Sequence, residues 1–512
     1  MRTRQEVEVL VVGGGPVGLG MAIGLRRLGV GCMVVERHPS TLDFPRGRGI
    51  TVRTMEIFRQ WDLEHDMVVA GLPRGESLYV FSGDTLLARG FTRVGLPAVS
   101  ASPLSPTERL LCDQESMEVV LRNRAFELGA DLRFATTLSA FTADADGVTA
   151  ELTDGRTGGT AEVRAGWMVA ADGARSGVRE ALGIDRSGPG TVATAVSILI
   201  GAELGDRVAD RRSAIYRLAG LQGGAMLAVD NDRRWLLIYA YNPAVEAPET
   251  FTTDRCAELA RTAIGDSTVG VDILGVRLWE STALVADGYR RGRILLAGDA
   301  AHVTTPIGGL GMNCGMADVH NLAWKLSGVT HGWASASLLD SYEPERQPVA
   351  RDTAVASLEA ARPPAPVDGV VLGYAYESSV IVPDGTAPPT MADPVNDYAP
   401  TGRPGHRAPH LWLDPSRSHS TLDLVGDAFA VITDSTSPAL TQASEVAQAA
   451  TGIPVRSHVI DDDMCLDLYG IHSGGAVLVR PDGHVAWRSI DPPADPTNEL
   501  PTALLSATGR GH

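Results

Sequence analysis

Two hydrophobic periods alternate along this chain, and each change of period marks an element. Val7–Val12 is an unbroken apolar run, the pattern of a strand buried on both faces. From Pro16 to Leu28 apolar residues recur at helical spacing, and Met33–Val35 is a second bare apolar run, closed by Glu36. This predicts strand, tight turn, helix, strand. Thr51–Gln60 reads as a helix with Met55, Ile57 and Phe58 apolar. Residues 72–105 are rich in Gly, Pro and Ser, with short alternating runs such as Ser77–Phe81 that read as strands of a second layer. Helical periodicity returns over Glu108–Leu128. Leu132–Phe134 then reads as a strand, and Gly147–Leu152 with Ala161–Val169 as a hairpin.

From Thr191 to Trp279 the pattern is that of an antiparallel sheet: Ala195–Ile200, Arg212–Leu218, Ala225–Val229, Trp235–Tyr241 and Val276–Trp279, with one helix at Thr252–Ile264. Arg293–Ala297 is again a bare strand. Helices follow at Met312–Val329 and 339–360. The C-terminal part predicts strands at Phe429–Thr433 and Val455–Ile460, a helix at Ser444–Ala450, and a hairpin joining Ala476–Val479 to His484–Trp487. The expected class is α/β. Segments 1–75, 105–185 and 280–360 form a Rossmann-type domain, 76–104 and 186–279 an antiparallel-sheet domain, 361–404 a Pro/Gly-rich linker, and 405–512 a third unit.

Length and composition narrow this picture. A chain of 512 residues with 44% hydrophobic and 21% charged residues has enough apolar surface for several folded domains. A net charge of −18 opposes binding to nucleic acid or an anionic membrane. No apolar stretch is long enough for a membrane span. Five scattered cysteines without a C-x-x-C point to no disulfide framework, zinc site or dithiol pair, which fits a reducing cytoplasm. No clustered His/Asp/Glu set suggests a metal.

The chemistry begins at the first turn. Gly13, Gly15 and Gly18 stand at G-x-G-x-x-G spacing between a strand and a helix that opens with Pro16 and Val17. Such a turn lets a pyrophosphate approach the backbone and rest on the helix N-terminus. Glu36, about 20 residues on, can hold ribose hydroxyls. A carboxylate here suits FAD or NAD rather than NADP. Two further corners, Asp172-Gly173 and Gly298-Asp299, close apolar strands far down the chain. Singly each is an ordinary turn. Together, in strand–loop–helix context, they favour FAD, whose ribityl hydroxyls Asp299 can bind. Pro306, Gly308, Gly309, Leu310, Gly311, Met312 and Asn313 then form a glycine-rich entry to a helix. Its N–H groups can approach a planar ring and favour negative charge there.

The ordered motifs GGGPVG, ADGARSGVRE and LLAGDAAHVTTPIGGLGMN resemble the flavoprotein aromatic hydroxylases of the p-hydroxybenzoate hydroxylase fold. GRPGHRAPH, STLDLVGD, YGI and GAVLVRPDGHVAWR resemble the branch that acts on polycyclic aromatic polyketides, including aklavinone and angucycline hydroxylases, in which a thioredoxin-like domain ends the chain. The resemblance implies non-covalent FAD, NAD(P)H as a transient reductant, O2 as co-substrate and a flavin C4a-hydroperoxide that hydroxylates the ring of a small aromatic molecule. It places Glu36 at the adenosine ribose, Arg37 near the adenine, Arg46 near the diphosphate and substrate, Gln114 near the ribityl chain, Asp299 on the ribityl hydroxyls, and Asp172 and Arg175 in a motif linked to FAD and NAD(P)H.

The chain departs from this pattern twice. The third unit lacks the C-x-x-C of working thioredoxins. Some relatives carry an arginine, thought to help ionise the substrate, where this chain has Ala375. Substrate-side candidates are then Arg46, Tyr374, Tyr376 and the alternating Trp235, Tyr239 and Tyr241, which line either a flat aromatic site or the core. Baeyer–Villiger or another oxidative tailoring reaction, and a flavoprotein that binds an intermediate without turnover, stay open as alternatives. So does the choice between monomer and homodimer.

Overall fold

The structure is a computed structural model that describes residues 5–73, 79–95, 103–221, 224–359 and 367–511. The chain begins β1 (Gln5–Val12), α1 (Pro16–Arg27), β2 (Cys32–Val35), β3 (Gly49–Ile50), α2 (Val52–Gln60), α3 (Glu64–Ala70), β4 (Tyr79–Gly83), β5 (Phe91–Gly95), β6 (Leu110–Leu111) and α4 (Gln114–Glu127). It continues through β7 (Asp131–Arg133), β8 (Thr136–Ala143), β9 (Val148–Asp154), β10 (Thr160–Ala170), α5 (Gly177–Ala181), β11 (Arg186–Gly201), β12 (Ile215–Leu218), β13 (Gly224–Ala228), β14 (Arg234–Tyr241), α6 (Thr253–Ile264) and β15 (Asp272–Ala286). Then come β16 (Arg290–Arg291), β17 (Ile294–Leu296), β18 (His302–Val303), α7 (Leu310–Thr330), α8 (Tyr342–Glu359) and α9 (Asp368–Leu372). The C-terminal unit holds β19 (Phe429–Thr433), α10 (Pro438–Thr451), β20 (Val455–Val459), α11 (Asp463–Tyr469), β21 (Ala476–Val479), β22 (Val485–Ser489) and α12 (Pro496–Ala507).

The first sheet runs β17-β10-β1-β2-β7, all parallel, with β16 antiparallel at one edge and the β8–β9 hairpin on β10. Strand order reverses at β1, so α1 starts in the crevice where a doubly wound sheet receives its ligand. Because these strands are parallel, the residues that follow β2, β10 and β17 gather at one edge: Glu36, Asp172 and Asp299. Their apolar runs are buried on both faces, Val9–Val11, Val34, Val169 and Leu295 among them.

The second sheet runs β18-β15-β11-β14-β13-β12-β4-β5 and is antiparallel except between β4 and β12. Its outer face packs under α6 through Trp235, Leu237, Leu259 and Ala263. Its inner face turns to the lobe of the first sheet, where Leu199 and Leu236 pack on Phe44. The third sheet, β20-β19-β21-β22, has apolar layers on both sides, Val431 and Leu478 on one and Ile432 and Val477 on the other. Among the described residues no helix is long and apolar enough to cross a membrane.

Four sequence expectations change. The helix expected from Glu108 starts at Gln114, because Leu110 and Leu111 pair with Ile50 and Gly49 instead. The expected boundary at 280 falls inside β15, which pairs with β11 as far as Arg186 and Ala286. That ribbon is solvent-exposed and polar around Thr191 and Glu280, so its apolar pattern fades before the pairing does. The described part of the expected linker contains α9, whose Val371 and Leu372 pack on Val52 and Leu310. Two C-terminal helices, α11 and α12, complete the third unit; Asp462 caps the first.

Candidate active site

The β1–α1 turn is built by contacts that exclude side chains. Gly13 has φ +107°, and a Cβ there would lie 2.2 Å from the Ala171 carbonyl oxygen. A Cβ on Gly18 would lie 1.9 Å from the Gly13 oxygen. Gly15, by contrast, has nothing within 4 Å of its Cβ position. It is also the N-cap of α1, where no side chain caps the helix and no acid stands in the first turn. The helix N-terminus is thus left open to an anion. Pro16 takes the first helical position and Val17 packs over Gly298 and Gly315, bringing α1 against β17 and α7.

The three strand-end carboxylates surround this turn. Glu36 accepts the Gly14 N–H on Oε2 at 2.7 Å and the His38 N–H on Oε1 at 2.8 Å, each oxygen keeping a lone pair for a hydroxyl. Arg37 is exposed beside it. Asp172 accepts the Val178 N–H on Oδ2 at 3.2 Å, while its Oδ1 is buried with no protein partner. Arg175 is exposed on the same turn. Asp299 is open to solvent at its surface. Burial within the surrounding protein nevertheless raises its pKa, with His302, Arg46 and Arg186 partly offsetting this. With Glu36 and Asp172 it stands at the carboxyl edge of the parallel sheet, where a doubly wound fold has its ligand cleft.

Arg46 lies near Asp299 and Glu118 on that cleft. The Gln114 backbone N–H donates to the Gly47 carbonyl at 3.0 Å, and Gln114 Nε2 donates to Glu118 Oε1 at 2.7 Å. Burial raises the Glu118 pKa against the bonds from Gln114 and Leu42. Arg48, which the sequence reading passed over, is buried. It pairs with Asp113 and donates to the Ala214 oxygen at 3.0 Å and to the Ala228 oxygen, tying the Arg46 loop to the second sheet. Its only signal in sequence was the PRGRG run next to Arg46.

At the other end of the cleft, Gly308 and Gly309 have φ +82° and +67° and lead into α7. Pro306 and Gly308 are exposed, Gly311 and Met312 half-buried, and Leu310 buried. Asn313 fixes the loop. Its Nδ2 donates to the Gly309 oxygen at 2.6 Å and the Gly49 oxygen at 2.8 Å, and its Oδ1 accepts the Thr51 N–H at 2.9 Å. Behind Asp299, His302 Nε2 sits 2.7 Å from Asp318 Oδ2, and Arg346 Nε donates to Asp318 Oδ1 at 2.8 Å. Burial acts to lower the His302 pKa, but Cys314 and Asp318 outweigh it and raise it well above the usual value. His302, Cys314 and Asp318 are the one group among the described residues close enough to share a metal. Their charge is already balanced by Arg346, and Asp318 also accepts the Gly298 N–H at 3.1 Å.

Comparison with known families decides what this arrangement is. The FAD binding domain model matches residues 6–357, and the model of the C-terminal region of aromatic-ring hydroxylases matches residues 401–511. The chain belongs to the FAD-dependent aromatic-ring hydroxylases. It is 38% identical to the tetracenomycin B2 monooxygenase-dioxygenase of Streptomyces olivaceus, over 99% of both chains. It is 36% identical to a 4-methyl-5-nitrocatechol 5-monooxygenase from Burkholderia sp, over 99% of this chain and 98% of that one. Among solved structures it resembles the ternary complex of aklavinone-11 hydroxylase with FAD and aklavinone, with TM-score 0.91 and 33% identity over 99% of this chain and all of that one.

The hydroxylase's own residues fit FAD: an uncapped helix N-terminus, a carboxylate beside it, a buried unpartnered oxygen on Asp172, and Asp299 open on the cleft. On the substrate side the structure decides between the flat site and the core. Trp235, Tyr239 and Tyr241 do share one strand face, but it is the face under α6, where Tyr239 and Tyr241 pack on Phe251 and Trp235 donates to the Ala202 oxygen at 3.2 Å. Tyr374 and Tyr376 also lie elsewhere. Both stack on His484 of the C-terminal unit, and Tyr376 is buried against Arg346. The face turned to the first sheet carries Ile215, Leu227, Leu236, Ile238 and Trp279 together with Ser197, Arg217, Arg234 and Arg277. Of the substrate-side candidates, Arg46 alone stands in the cleft.

Proposed function

We propose that this hydroxylase is a single-component, NAD(P)H-consuming monooxygenase that adds oxygen from O2 to a polycyclic, polyketide-type aromatic. The observation that carries the reading is the cleft itself. It runs from the α1 turn past Asp299 to the Gly308–Gly309 loop, opposite a sheet face of mixed apolar and basic residues. Bound FAD would supply the redox chemistry, accepting hydride from NAD(P)H and activating O2. The protein supplies the rest. Glu36, Gln114 and Asp299 would hold the ribose and ribityl hydroxyls. The α7 N-terminus, fixed by Asn313, would favour negative charge on the flavin ring. The inner sheet face would orient a flat ring system and keep water away from the reacting oxygen.

The C-terminal unit is read as thioredoxin-like but without redox chemistry. Its Cys465 is buried, and burial pushes its thiol up to about 12, so no thiolate forms near neutral pH.

The relatives' names support an aromatic substrate but differ in its size, since tetracenomycin B2 is a polyketide and 4-methyl-5-nitrocatechol a single ring. The test is NAD(P)H oxidation by the holoenzyme with a panel of polycyclic and monocyclic phenols. A polycyclic phenol should accelerate oxidation and be oxygenated. A monocyclic one should give mostly hydrogen peroxide. No acceleration by any phenol would leave a binding protein. A product with a ring carbon–carbon bond opened by the inserted oxygen would show Baeyer–Villiger chemistry instead.

A further inference from the structure

We propose that Asp318 of α7 is a positioning residue for the cofactor: it sets where Asp299 stands, and through Asp299 how tightly FAD is held. The proposal rests on the reading above, in which Asp299 meets the ribityl hydroxyls, and deepens it by naming what fixes that carboxylate.

The side chain of Asp299 does not hold itself. Charges act on its carboxylate, but among the described residues no hydrogen bond reaches it. Its place is set by the backbone of the corner 298–302, and that corner is tied at both ends to one oxygen. Asp318 Oδ2 accepts the Gly298 N–H at 3.1 Å, one residue before Asp299. The same oxygen lies 2.7 Å from His302 Nε2, three residues after it. The backbone closes the corner further. The Ala301 N–H donates to the Gly298 oxygen at 2.8 Å, and the Ala286 N–H of β15 donates to the Ala301 oxygen at 2.7 Å. No side chain fits between this corner and α7. A Cβ on Gly315, three residues before Asp318, would lie 2.9 Å from the Gly298 Cα.

The other carboxylate oxygen is held from α8. Arg346 donates from Nε to Asp318 Oδ1 at 2.8 Å and from Nη2 to the Cys314 oxygen of α7 at 3.0 Å. The side chains of His302, Asp318 and Arg346 are all fully buried. Three donors thus converge on two oxygens, and only a carboxylate can accept from all of them. Burial acts to raise the Asp318 pKa, but His302 and Arg346 hold it below the usual carboxylate range, so the charge is kept. An asparagine of the same shape would turn its NH2 toward Arg346 or toward Gly298 and His302. Either way a buried donor is left without an acceptor, and the corner shifts or loosens.

The test is a double-mutant cycle on the FAD dissociation constant of the full chain, with thermal midpoints of the apo-forms measured alongside. Asp318→Asn should weaken FAD binding about tenfold. In an Asp299→Ala background the same change should cost no more than about a further twofold, because the residue it positions is gone. The visible circular dichroism of the bound flavin should move in Asp318→Asn toward that of Asp299→Ala, which a loss of stability alone would not produce. If Asp318→Asn lacks a folded apo-form, His302→Leu takes its place in the cycle, removing one donor and leaving the Arg346 pair. His302→Gln, which keeps a donor, should then restore the affinity. A loss that adds in full to that of Asp299→Ala would overturn the proposal, since Asp318 would then act on the fold at large. Unchanged FAD affinity in Asp318→Asn would overturn it too. Asp299→Ala with wild-type FAD affinity would overturn the reading of Asp299 itself, and this proposal with it.

Discussion

Asp299 shows at the scale of one residue how this fold sets a carboxylate at the ligand edge of a sheet. A bare apolar strand, β17, delivers it to the ligand edge of the parallel sheet, and Gly298 and Val17 press that corner against α1. Its removal should cost cofactor rather than fold. Asp299→Ala is expected to weaken FAD binding roughly 10- to 100-fold, the worth of a charged hydrogen bond at about 1.5–3 kcal/mol. The apo-protein's thermal midpoint should not move. Flavin titration with parallel calorimetry checks this, and unchanged affinity would reduce Asp299 to a loop cap. Gly18→Ala should act the other way, on fold and cofactor together, because its Cβ falls 1.9 Å from the Gly13 oxygen; the loss of both FAD and stability should show in the same unfolding scan. The geometry of the β1–α1 turn could be read from the sequence because such a turn is local: its glycines and acid stand at fixed spacing. The substrate face could not. A period of two shows that Trp235, Tyr239 and Tyr241 share a face, but which face meets the cleft depends on what packs on the sheet, and that is α6.

Among elements, α2 is the one most tightly constrained from outside. Its Glu56 is buried and receives Arg53 at 3.0 Å, Ser105, and both Nε and Nη2 of Arg407 from the C-terminal unit. Burial acts to raise its pKa, but Arg407 and Arg53 hold it below the usual carboxylate range. At its start, the backbone of its N-cap Thr51 is bonded to Asn313. The C-terminal unit thus reaches the flavin-side loop through one helix. Arg407→Met should destabilise the protein by roughly 3–5 kcal/mol, since it leaves a buried charge short of its partner. Denaturant unfolding measures this, and a change below about 1 kcal/mol would show that the pair is solvated. The sequence revealed helices and strands where one face is buried and the other wet, as in α6 and β9. It missed the full length of β11 and β15, an exposed ribbon held by pairing more than by burial, and it read as linker a segment that packs two aliphatic residues of α9 into a core.

For the whole molecule, the C-terminal unit is docked through ionised and neutral groups that set a pH range. Glu345 of α8 accepts from Arg480 at 2.7 Å and 2.9 Å and from Lys325 at 2.6 Å. Burial acts to raise its pKa, but Arg480 and Lys325 bring it down to about 2. His406, His410 and His484 are each lowered to about 4, first by burial. Both effects have the same sign. As pH falls from 6.5 to 4 the unfolded chain protonates these histidines while the folded one does not. From 4.5 to 2 the same holds for Glu345. In each window the unfolded state binds more protons, so the contribution of these groups is complete above pH 6.5 and is lost on acidification. His302 differs: its burial is outweighed by Cys314 and Asp318, which raise its pKa, so it adds the opposite slope above pH 6.5. Thermal midpoints should therefore drop across pH 6.5 to 4, and His484→Asn should flatten part of that slope. A midpoint independent of pH there would contradict the burial of these rings.

We propose that the cleft between the first and second sheets is where oxygen from O2 is joined to a polycyclic aromatic. The most direct measurement is turnover under ¹⁸O2 with NAD(P)H and a polycyclic phenol, followed by product mass and peroxide yield. The product should carry ¹⁸O, with little peroxide, while a monocyclic phenol should give mainly peroxide. Efficient ¹⁸O transfer to the monocyclic phenol and none to any polycyclic one would contradict it.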